Sequence, residues 1–99
     1  MTTIYKGQDN PVKLILRQGS TAFDLSNYTK IELVVSDSIT YDTTSHSSYF
    51  EVSTSRTGLL ILRLGQSSLD VGSYTPEVIL FTVDNSNGIS FDTFDLEVK

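Results

Sequence analysis

The run Gly58-Leu59-Leu60-Ile61-Leu62-Arg63-Leu64 is the most apolar segment of the 99-residue chain. With a period of two, Leu60, Leu62 and Leu64 share one face, and Ile61 falls beside Arg63 on the other. This is the alternation of a strand. A strand so apolar is expected at the centre of a sheet, not at its edge.

The same alternation recurs on both sides of it. Val12, Leu14 and Leu16 face one way, with Lys13 and Arg17 opposite, and Gln18-Gly19-Ser20 supplies turn chemistry because Gly tolerates a positive φ. A short segment, Ala22-Phe23-Asp24-Leu25, precedes a strand with Ile31, Leu33 and Val35 on one face and Glu32 on the other. Phe50 and Val52 alternate with Glu51 and Ser53. Beyond the central run, Gly65 to Gly72 reads as a one-turn helix or corner. A strand from Tyr74 to Val83 follows, then the turn Asp84-Asn85-Ser86-Asn87-Gly88, then a last strand from Ile89 to Val98. Pro76 has no N–H for a ladder and belongs at an edge, a bulge or the start of its strand.

The last strand changes phase. Ile89 and Phe91 are odd, whereas Phe94, Leu96 and Val98 are even, so one regular strand cannot bury both sets on one face. A bulge near Asp92-Thr93 is the preferred repair; the alternative is that both faces are covered at one end. Residues 36–48 form the longest polar stretch and are expected to be a mobile loop, with room for a short edge strand around Ile39 and Tyr41.

Composition narrows the class further. A single alanine, Ala22, stands against 12 Thr, 14 Ser, eight Val and seven Ile, a balance that favours sheet over helix. Leu, Ile, Val and Phe occupy 31 positions, enough for a packed core in one domain. Cysteine is absent, which excludes disulfides and thiolate metal sites. The net charge of −5, with no basic run, argues against nucleic acid as a partner. No apolar run reaches the roughly 20 residues of a membrane helix. The start, Met-Thr-Thr-Ile-Tyr-Lys-Gly, lacks a signal-peptide pattern, so synthesis in a cytoplasm is expected. About seven short strands with frequent turns point to an all-β, antiparallel β-sandwich over 12–99, a small closed barrel being the alternative. Residues 1–11, polar and turn-rich, are read as an N-terminal segment with the character of an arm.

The sharpest local signature is Asp70-Val71-Gly72-Ser73-Tyr74-Thr75-Pro76. Its Asp-x-Gly-x-Tyr form is that of the tyrosine corner in immunoglobulin-like sandwiches, where the tyrosine hydroxyl bonds to backbone a few residues upstream. Asp70, Gly72 and Tyr74 are therefore assigned as a structural corner. Pro76 stands where antibody domains carry a cysteine. Asp24-Leu25-Ser26-Asn27-Tyr28, the segment Leu69 to Val78, the hairpin ending at Gly88 and the closing Phe91-Asp92-Thr93-Phe94 add to the pattern. Taken together over about residues 12–98, the chain resembles the immunoglobulin-like domains of tailed-bacteriophage structural proteins, in particular the N-terminal domain of siphophage upper baseplate proteins. The resemblance implies a virion component, made in the host cytoplasm, that works through protein–protein contacts with other virion proteins in many symmetric copies.

Chemistry has few footholds. His46 lies near Asp42, Ser45 and Ser47, but sequence neighbours in a loop do not make a triad. Asp92, Asp95 and Glu97 read as a solvent-facing row, not a glycosidase pair. The Asp84–Gly88 turn departs from the spacing of a calcium loop and is accounted for by Asn87-Gly88 hairpin chemistry. Asn27-Tyr28-Thr29 matches a glycosylation acceptor only by pattern. No catalytic residue, cofactor or metal is therefore expected. Tyr5, Tyr28, Tyr41 and Tyr49 are placed at strand ends or in loops. Tyr41, His46 and Tyr49 form a candidate interaction loop, and a carbohydrate-binding or adhesin module, with a host-surface glycan as ligand, is the alternative function.

Overall fold

The structure, a computed structural model, describes residues 2–9, 11–65, 67–91 and 93–99. Strand chemistry dominates it. The strands are β1 (Thr2–Ile4), β2 (Pro11–Ile15), β3 (Arg17–Gln18), β4 (Thr21–Ala22), β5 (Tyr28–Ser36), β6 (Ile39–Asp42), β7 (Phe50–Val52), β8 (Leu59–Arg63), β9 (Gly72–Tyr74), β10 (Glu77–Thr82), β11 (Ile89–Ser90) and β12 (Leu96–Val98). The one helical element among the described residues is a 3-10 turn, Ser47–Tyr49. Among the described residues no helix is long and apolar enough to cross a membrane.

The strands pair as β1-β12-β9, β11-β10-β5-β6, β2-β8-β7 and the small hairpin β3-β4. All pairings are antiparallel except β1 with β12. The apolar run behaves as its alternation dictates: β8 is central between β2 and β7, and Leu60, Leu62 and Leu64 are at most 1% exposed. Ile31, Leu33 and Val35 on β5, Val78 and Leu80 on β10, and Val12 on β2 join them in one core. The buried faces of the sheets thus meet across a common interior. Hairpin glycines do what their positions require, with φ of 66° at Gly19 and 91° at Gly88.

Among the described residues twelve short strands stand where about seven are expected: two long ones are divided, and the short strands β1, β3 and β6 are additional. The segment from 74 to 83 breaks at Thr75-Pro76 into β9 and β10; Pro76 is buried, and its carbonyl accepts the Phe94 amide at 3.2 Å. The segment from 89 to 98 breaks into β11 and β12, with Phe91, Leu96 and Val98 all buried. The phase change therefore falls between the two strands. The expected bulge at Asp92-Thr93 lies partly at Asp92, outside the described residues.

Three further expectations need correction or sharpening. Residues 36–48 are not one mobile loop but hold the short edge strand expected around Ile39 and Tyr41: Asp37-Ser38 turn the chain from β5 into β6, and the 3-10 turn follows. Of the two options for residues 65–72, the corner and not the helical turn is found among those described: the Ser67 amide and hydroxyl both bond the Leu64 carbonyl, at 3.0 and 2.5 Å. Nor do the described residues of the N-terminal segment project as an arm. β1 lies parallel to β12, Ile4 is 1% exposed, and Ile4 and Lys6 exchange backbone bonds with Lys99 at 2.9 Å each. Gly7 donates to the Gly65 carbonyl at 2.6 Å. A Cβ on Gly65 would lie 1.6 Å from the Gln8 carbonyl oxygen, so only glycine admits this crossing.

Candidate functional site

The corner is closed by one bond. Tyr74 Oη donates to the Asp70 carbonyl at 2.7 Å, tying the last residue of β9 to the chain just before that strand. Val71 between them is exposed, while Leu69 just before is buried. The Asp70 carboxylate plays no part in that bond and faces Lys6 Nζ at 4.0 Å across solvent. Gly72 lacks a positive φ, and a Cβ there would meet only the Tyr74 ring at ordinary contact distance. Its role in the corner is not steric.

Asp24-Leu25-Ser26 is a second local device. Asp24 Oδ1 accepts the Ser26 amide at 2.9 Å, and Leu25 is driven into the core at 2% exposure. The Ser26 backbone amide, helped by its hydroxyl, holds the Asp24 carboxyl below its usual value.

Tyr41, His46 and Tyr49 come together. The Tyr41 ring meets His46 at 4.9 Å and Tyr49 at 5.0 Å, both edge-on, and His46 stacks on Tyr49 at 5.3 Å. The chain reaches this arrangement because Asp42 caps the turn after β6. Its Oδ1 accepts the amides of Ser45 at 2.7 Å and Thr44 at 3.0 Å, and its carbonyl accepts the His46 amide at 2.8 Å. The Ser45 amide is the main cause that holds the Asp42 carboxyl low, with Thr44, Lys30 and His46 adding and burial opposing.

Their exposures differ from the sequence reading. Tyr41 is only 4% exposed and belongs to the core, with its hydroxyl 3.3 Å from Ser68 Oγ. It lies within β6, not in a loop, and its ring is not free to stack on a ligand. His46 and Tyr49 are half-buried, and His46 Nδ1 is enclosed without a hydrogen-bond partner. Because Asp42 directs its carboxylate to Thr44 and Ser45, the Asp–His bond that would orient a triad base is missing.

Glu97 pairs with Lys99 at 3.5 Å, the Asp95 carbonyl accepts the Thr2 amide, and Asp92 lies outside the described residues. In the 84–88 turn, Thr82 Oγ1 accepts both the backbone and side-chain N–H of Asn85 at 3.1 Å. Among the described residues no three His, Asp or Glu side chains converge as metal ligands would. Sequence reading missed Ser68 as the partner of Tyr41 and Gly65 as the seat of Gln8. Both are contacts between distant segments and leave no local pattern. No protein-family model matches the chain, and no curated protein or solved structure matches it either.

Proposed function

We propose that this protein is a non-enzymatic structural or assembly component of a bacteriophage virion, built as an immunoglobulin-like β-sandwich and acting through protein–protein interfaces. The observation that carries the reading is the Tyr74–Asp70 bond across the short strand β9, the corner bond characteristic of such sandwiches. The strand order supports it. Taking β9 with β10 and β11 with β12 as interrupted single strands, β1, β12/β11, β9/β10, β5 and β6 make one layer, and β2, β8 and β7 make the other. The motif order from Asp24 to Phe94 supplies the link to tailed-phage domains.

The site chemistry favours surface contact over catalysis. The side chains of Asp24, Asp42, Asp70 and Glu97 serve turns and exposed ion pairs, and the histidine lacks an orienting carboxylate. The glycan reading loses Tyr41, whose ring is buried. Particles purified on a density gradient and probed with an antibody to this chain test the proposal. Co-sedimentation with the particles is the expected result; signal confined to the soluble fraction overturns it.

A further inference from the structure

A groove of about 600 Å3 runs between two open sheet edges. Leu14 and Leu16 form one bank; Ile89, Phe91 and Phe94 form the other. β2 and β11 each end their sheets, so no described strand covers either bank. Leu16 donates to the Gly58 carbonyl at 2.8 Å. Antiparallel pairing alternates, so the main chains of Lys13 and Ile15 point away from β8 toward this open side. Unpaired edges of this kind accept an added strand.

The charges say which strand. Arg17 is the one charged residue among the described residues lining the groove, and Lys13 stands exposed on the same edge. Neither forms an ion pair among the described residues, in a chain of net charge −5. On the far side of the four-stranded sheet, β6 is the other open edge. Asp37 precedes it and Asp42, whose Oδ1 caps the following turn, ends it, while Glu32 is already matched by Lys30 at 3.1 Å. The Thr43 amide bonds the Ile31 carbonyl, which by alternation leaves the Thr40 main chain facing outward.

We propose that the β2 edge with its groove receives the β6 edge of a second copy of this chain, Lys13 and Arg17 facing Asp37 and Asp42. The contact joins two different surfaces, so copies add head to tail into a ring or an open filament. The inference rests on the assembly reading for its biological setting alone.

Sedimentation velocity over a concentration series tests it, at low and high salt. Wild-type protein is expected to self-associate, less so in high salt. K13E/R17E and D37K each weaken association about tenfold or more, and mixing the two variants restores a heterodimer through the one unaltered edge of each. Lys13→Pro removes an outward amide without touching the β8 ladder and is expected to weaken association equally. Urea unfolding establishes that each variant folds.

A protein monomeric at every concentration, association unaffected by these variants, or a strand of a different protein in the groove overturns the proposal. A monomer that still enters particles overturns this inference and leaves the virion reading standing. Self-association by this edge in a protein absent from particles does the reverse.

Discussion

The Tyr74 hydroxyl and the Asp70 carbonyl lie 2.7 Å apart, joined by a hydrogen bond that spans four residues. Tyr74 is half-buried, and its bond ties the end of β9 back to the residue that follows buried Leu69. Tyr74→Phe keeps the ring and removes the bond, so it is expected to lower unfolding stability by about 1 kcal/mol in urea titration. Gly72→Ala, whose new methyl meets only the Tyr74 ring near 4 Å, is expected to change stability much less.

Gly65→Ala is expected to be far more damaging. The added methyl lands on the Gln8 backbone, which cannot withdraw without pulling β1 from β12. Hydrogen exchange at Lys6 and Lys99, whose amides are bonded to this pair of strands, is expected to accelerate ahead of that at Ile31. Unchanged protection at Lys6 and Lys99 contradicts the contact.

The core face of β8 carries a different order of cost from its outer face. Leu62→Ala leaves a cavity at a fully buried site and is expected to cost about 2–5 kcal/mol. Arg63→Ala removes an exposed ion pair with Glu51 at 2.9 Å and is expected to cost under about 1 kcal/mol. Chemical denaturation of the two variants checks the contrast.

That contrast was legible in sequence, and other features were not, for a physical reason. Leu60, Leu62 and Leu64 or Ile31, Leu33 and Val35 announce their face through a period of two that involves only neighbours. Gly19 and Gly88 announce their turns in the same local way. The parallel pairing of Ile4 with Val98 joins opposite ends of the chain, and no residue near Ile4 encodes it. The short edge strand around Ile39 and Tyr41 was legible as an option, but the burial of Tyr41 was not, because Ser and Thr surround it. Its burial comes from pairing with Leu33 and from packing on His46 and Tyr49. Long polar segments hide strands when tertiary neighbours supply their apolar side.

Acid stability has a definite sign. Asp42 and Asp24 are held below the ordinary carboxylate value of 3.8, by the amides of Ser45 and Ser26 first of all. A carboxyl whose pKa is lower in the folded state contributes its stability above the unfolded value and loses it as pH falls through the folded one. The urea midpoint is therefore expected to drop as pH falls below about 4. Asp42→Asn with Asp24→Asn keeps an acceptor oxygen at each turn and is expected to flatten that slope. An unchanged slope in the double variant contradicts the assignment.

The most direct test of the virion reading is a count. Quantitative mass spectrometry of gradient-purified particles, using isotope-labelled peptides from this chain as standards, measures its copies per particle. A fixed multiple number in every preparation, stable to a high-salt wash, is the expected result. Absence from the particles, or a trace amount that washing removes, contradicts a structural role.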